Sequence, residues 1–147
     1  MPIKRRLLQA FAPVTLGCLT GAAQAHFQMV YIDETALPRA DNLEFALVFT
    51  HPFSGGPTMA MGEPLDFSEI SAHGGKKIDL RKYLRPVQWQ SRDNRVTAYR
   101  ASIPRNLVRS LGDHIFVLEP EPYLETEEDA YIQQIGRASC RERVFAG

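Results

Sequence analysis

The chain has 147 residues, with 17 Lys and Arg against 17 Asp and Glu, and 44% of it is hydrophobic. That length suits one domain with its own core, and a formally neutral chain lacks the basic footprint that nucleic acid rewards. The balance is uneven: residues 26–134 hold eleven Lys and Arg against sixteen Asp and Glu, an excess of five negative charges that excludes nucleic acid more firmly and suits a protein that handles cations.

Residues 1–25 read as a secretory signal peptide. Lys4, Arg5 and Arg6 form a positive start, Leu7 to Thr20 an apolar run, and Ala23-Gln24-Ala25 a small-residue cleavage site. The apolar run is short of the roughly 20 residues that span a bilayer. Thr15 stands where a lipoprotein signal ending at Cys18 wants leucine, and the residues around Arg5-Arg6 fit twin-arginine export poorly. Cleavage after Ala25 and a periplasmic location are therefore expected. Cys18 leaves with the signal and Cys140 lies in the tail discussed below, so residues 26–134 have no disulfide and no thiolate ligand.

Beyond Ala25, apolar alternation of period 2 dominates. Phe27 to Ile32 is expected as the first strand. Leu43, Phe45, Leu47 and Phe49 share one face of the clearest one. Leu80 to Leu84 and Pro104 to Leu111 are each expected to form a short helical turn. Val87 to Gln90, Arg95 to Ile103, His114 to Leu118 and a segment from Ala130 to Gln133 complete the expected strands. Between them lie Gly- and Pro-rich connectors such as Pro52-Phe-Ser-Gly-Gly-Pro57, and Glu119 to Asp129 reads as an acidic, solvated loop. Short strands at near-regular spacing predict a mostly β, antiparallel sandwich of the immunoglobulin-like kind with little helix.

The end of the chain is of another character. Ile135-Gly-Arg-Ala-Ser-Cys-Arg-Glu-Arg-Val144 is the translation of ATC GGA AGA GCG TCG TGT AGG GAA AGA GTG, the sequence of a sequencing-library adapter. The frame needs a preceding codon ending in AG, and Gln134 (CAG) supplies it. Residues 135–147 are expected to be a non-native tail, with residues 26–134 as the informative domain.

Four histidines and an acidic run carry the candidate chemistry. Cleavage after Ala25 leaves His26 first, where its α-amino nitrogen and imidazole Nδ1 chelate one metal ion. Such a chelate forms only once the amine is freed and deprotonated, which ties binding to export and pH. The alternative is a histidine that falls after the cleavage site by accident. His51, between the best strand and a Gly/Pro loop, reads equally as a second imidazole ligand or as an exposed cap. His114 shares a face with Phe116 and Leu118 and reads as a packed, hydrogen-bonded core residue; His73, beside two glycines, reads as a turn residue. Met59 and Met61 offer thioethers to copper, but packing explains them more simply. Glu119 and Glu121 are candidate carboxylate ligands within the acidic run. No nucleophile elbow, zinc-protease motif, phosphate loop or catalytic cysteine is present, so no enzyme is expected.

His26-Phe-Gln-Met29, Thr50-His-Pro-Phe53 and Gly112-Asp-His-Ile-Phe-Val-Leu-Glu-Pro-Glu-Pro-Tyr123, followed by Glu127-Glu-Asp129, resemble the DUF4198 family across nearly all of residues 26–134. The resemblance implies a periplasmic accessory that binds Ni2+ or Co2+ and serves membrane uptake transporters of the energy-coupling type. It also implies a second β-sandwich module, where this chain departs from the pattern. His26, His51, Glu119 and Glu121 are carried forward as candidate metal ligands. Copper and zinc share the same donors, and a periplasmic β-sandwich interaction module without metal is the alternative.

Overall fold

The computed structural model describes residues 26–37, 41–52, 56–71, 74–108, 110–126 and 129–142. The segments assigned to the signal peptide and to His73 lie outside them. Among the described residues, eleven strands are formed: β1 (Phe27–Ile32), β2 (Ala36–Leu37), β3 (Leu43–Thr50), β4 (Pro64–Ser71), β5 (Lys77–Asp79), β6 (Leu84–Gln90), β7 (Arg95–Ile103), β8 (Gly112–Pro120), β9 (Tyr123–Glu125), β10 (Ala130–Ile132) and β11 (Gly136–Glu142). The described residues are mostly strand, as expected, in a sandwich-like stack of antiparallel sheets. The expected helical turns shrink to single 3-10 turns at Arg81–Tyr83 and Arg105–Leu107.

One sheet has the order β1-β3-β7-β6, and the facing sheet has the order β2-β11-β8-β4-β5. All pairings are antiparallel except the short β2–β11 one. Alternation on β3 turns Leu43, Phe45, Leu47 and Phe49 inward, where all four are buried. Phe45 bridges the layers: its ring lies 4.6 Å from that of Phe116 on β8 and 5.7 Å from that of Phe67 on β4. Burying such rings is a main source of the domain's stability.

β4 was not legible in the sequence, and one residue explains why. Its inward positions opposite β8 are Phe67, Glu69 and Ser71, in register with Leu118, Phe116 and His114. A glutamate facing the core breaks the apolar alternation. It is tolerated because Glu69 Oε1 lies 2.7 Å from His114 Nδ1, both residues being 1% exposed. His114 is thus the buried, hydrogen-bonded core histidine its parity suggested. Its Nε2 lies 2.7 Å from the Ser110 carbonyl, which can only accept, so Nε2 carries a hydrogen. A second proton is then held between Nδ1 and the Glu69 carboxylate.

Residues 136–142, assigned from sequence to the non-native tail, pair with β8 from Gly136 opposite Leu118 to Glu142 opposite Gly112. A ladder is made by backbone groups, so the open edge of β8 can seat a segment of any origin that tolerates extension. Cys140 is buried there.

At the far edge, the Arg81 guanidinium grips the exposed Asp79 carboxylate through Nε and Nη2, and its backbone N–H is a third donor. These bonds lower the Asp79 pKa from 3.8 to about 2. A depressed carboxyl favours the folded state above its unfolded pKa, and that contribution fades as pH falls through about 2. An NMR titration should place the Asp79 midpoint near 2, returning towards 3.8 in Arg81→Ala.

Candidate metal site

β1 and β3 run antiparallel with Phe27 opposite Thr50. One step further along that register sets His26, just before β1, against His51, just after β3. Their ring centroids are 3.9 Å apart at an interplanar angle of 49°. His51 is 7% exposed, and the side chain of His26 is 16% exposed. Aromatic rings wall the pair, Phe49 at 5.6 Å and Tyr123 at 5.4 Å from the His26 ring.

The third element is the β9–β10 hairpin. Tyr123 and Glu125 are two residues apart on β9, so both face the same way. The Tyr123 hydroxyl donates to Glu125 Oε2 at 3.0 Å. With that proton committed to the carboxylate, the Tyr123 oxygen accepts from His26 Nδ1, also at 3.0 Å. His26 Nδ1 lies 3.5 Å from Glu125 Oε2 as well. Gln134 ties the segment down from below: its Nε2 donates to the His26 carbonyl at 2.6 Å and its Oε1 accepts from the Gln28 N–H at 2.8 Å. One amide side chain thereby substitutes for a rung of β-ladder. A cavity of about 10 Å³, lined in part by Gln28, Phe49, Glu121, Tyr123 and Gln134, adjoins the cluster. That is room for about one water molecule.

The family described as "Domain of unknown function (DUF4198)" matches residues 23–139. The chain belongs to the DUF4198 family. The match starts just before His26, takes in every residue of the His26–His51–Tyr123–Glu125 cluster, and ends within β11. No curated protein and no solved structure matches the chain.

Within this DUF4198 domain the sequence-derived candidates separate. His26 and His51 are brought together. Glu119 alternates with the buried Leu118 and Pro120 on β8 and stands opposite Asp66, on the other face of the strand. Glu121 donates its backbone N–H to the Glu63 carbonyl, and its exposed carboxylate accepts the Glu63 N–H at 3.4 Å. Burial, with the charges of Glu63 and Glu121 after it, pushes the Tyr99 phenol up. The carboxylate at His26 is instead Glu125, which sequence reasoning passed over along with Tyr123 and Gln134. A signal existed in the same-face spacing of Tyr123 and Glu125, but the prolines and acidic neighbours concealed a strand. Met61 is buried, with its sulfur accepting from Gln28 Nε2 at 3.3 Å, which fits packing.

Imidazole suits nickel, copper and zinc, and carboxylate oxygen complements it. Two donors each about 2.0–2.2 Å from a common ion can lie as far apart as the 3.5 Å between His26 Nδ1 and Glu125 Oε2. As placed, no group of three or more His, Cys, Asp or Glu among the described residues closes around an ion.

Proposed function

We propose that this DUF4198 domain is an exported accessory protein that holds a divalent transition-metal ion, Ni2+ or Co2+, for uptake by a membrane transporter. Two imidazoles 3.9 Å apart beside a carboxylate, at the point where signal cleavage frees an amine, carry the reading. In it, His26 chelates through amine and Nδ1, His51 adds a second imidazole, and Glu125 supplies negative charge. The Tyr123 hydroxyl orients Glu125 by donating to its Oε2, as hydrogen-bond donors orient metal-bound carboxylates. Imidazoles and amine must be deprotonated to bind, so affinity falls as the medium is acidified.

Calorimetric titration tests the reading. A chain beginning at His26 is expected to bind one Ni2+. Acetylation of its amine, or His26→Ala, is expected to weaken binding by roughly a hundredfold, about 2.7 kcal/mol. Equal affinity in all three would end the proposal. A second reading, an interaction module without metal, draws on the same contacts, because Tyr123 and Glu125 already satisfy His26 Nδ1. Stoichiometric nickel or cobalt in protein isolated from the periplasm favours the first reading, and metal-free protein the second.

A further inference from the structure

The sheet β1-β3-β7-β6 has an outer face as well as the one it turns to the core. Leu84 on β6 and Tyr99, Ala101 and Ile103 on β7 pack into the core, so residues of the opposite parity point away from it. These are Arg85 opposite Arg100, Val87 opposite Ala98 and Trp89 opposite Val96. β1 continues the face with Phe27, Met29 and Tyr31, of which Phe27 and Tyr31 are 36% and 45% exposed.

Charge in this part of the chain departs from the rest. From Lys82 to Arg105 the sequence holds Lys82, Arg85, Arg92, Arg95, Arg100 and Arg105 against Asp93 alone. The remainder of residues 26–134 has five Lys and Arg against fifteen Asp and Glu. All six cations are exposed, and none of them pairs with a carboxylate among the described residues. Arg85 and Arg100 are direct cross-strand partners. Like charges in that position destabilise a sheet, and an anion shared between them removes the penalty. The Arg100 guanidinium leans over the Trp89 ring, 5.6 Å from its centroid. Among the described residues in register on this face, Glu44 is the one carboxylate; it lies at the end of the face and accepts from the Ser102 hydroxyl.

The cations are spread, not focused. Lys82, Arg85, Arg100 and Arg105 gather where β6 begins and β7 ends, and Arg92 and Arg95 lie at the turn between the strands, about 20 Å away. Val87, Val96 and Trp89 lie between the two groups. Such a layout fits a continuous negative surface better than one carboxylate cluster. Trp and Tyr settle at the headgroup level of a bilayer, Arg takes phosphate oxygens in pairs, and each basic residue adds attraction to anionic lipid. The acidic remainder of the domain is repelled by the same surface, which fixes the orientation.

We infer that the outer face of the β6–β7 hairpin docks on a bilayer surface that contains anionic phospholipid, with Arg85 and Arg100 on lipid phosphates and Trp89 at headgroup depth. The inference needs neither the metal nor the transporter.

Trp89 is the single tryptophan of the chain, so its fluorescence reads this face. The chain beginning at His26 is mixed with vesicles of equal parts phosphatidylglycerol and phosphatidylcholine at low salt, where surface charge is least screened. The expected result is a blue shift of Trp89 emission, with quenching when the phosphatidylcholine carries bromine high on its acyl chains. Arg85→Gln/Arg100→Gln should weaken binding roughly 25-fold, about fivefold per guanidinium, while keeping its urea midpoint and Ni2+ affinity. Arg85→Lys/Arg100→Lys should keep most of the binding. No vesicle binding, equal binding to pure phosphatidylcholine, binding that leaves Trp89 emission unchanged, or full binding by the Gln variant would overturn the inference. So would a Trp89 response to polyglutamate without one to vesicles, which points to an acidic protein partner instead. A chain that docks as expected but binds no Ni2+ defeats the metal proposal and leaves this surface standing.

Discussion

Replacing His114 by alanine is expected to cost about 3–5 kcal/mol of folding stability, and Glu69→Ala a similar amount. The two side chains are 1% exposed and joined at 2.7 Å, so removing one strands the other in the core without its partner. The environment has little slack. Glu69 Oε2 is already a buried oxygen with no hydrogen-bond partner, and His114 Nε2 depends on the Ser110 carbonyl. A loss of that size is a large share of the 5–15 kcal/mol that holds a typical domain together. Urea denaturation checks it through the shift in midpoint at constant slope. The double replacement Glu69→Met/His114→Phe, of similar volume and without charge, should recover most of the loss. Single substitutions costing under about 1 kcal/mol would show that the pair is not the buried unit described.

Glu125→Ala in a chain that begins at His26 is expected to weaken Ni2+ binding about 10–100-fold, while Glu119→Ala and Glu121→Ala leave it unchanged. The reason is placement. Glu125 Oε2 is 3.5 Å from His26 Nδ1, whereas Glu119 stands opposite Asp66 across the sheet and Glu121 is bound up with Glu63. Tyr123→Phe keeps the ring against His26 and Phe49 but removes the hydroxyl that steers Glu125, so a smaller loss, about tenfold, is expected. Calorimetry on the four variants separates these outcomes. Losses in Glu119→Ala or Glu121→Ala equal to that in Glu125→Ala would show that the acidic run acts by bulk charge and not by one positioned carboxylate.

Legibility differed from strand to strand for physical reasons. β1, β3, β7 and β8 bury one face against the opposite sheet, and period-2 apolar spacing records that burial directly. β4 is as central as β8, yet the buried Glu69 erased its signature, because the residue that makes it tolerable lies 45 positions away. β9 was concealed in the same manner: an acidic stretch reads as solvated loop until Glu125 is seen to serve His26.

The sequence by itself determined the class of fold, the inward face of the main strands and the buried character of His114, since each depends on local spacing. It also supplied the residues that mark the DUF4198 family. Only the tertiary structure decided which of the candidate side chains meet. His26 and His51 meet because β1 pairs with β3 in one particular register, and the carboxylate beside His26 is that of Glu125 because β9 folds back against the start of β1. Those are contacts between distant segments. Their energy comes from packing and pairing that no window of neighbouring residues contains.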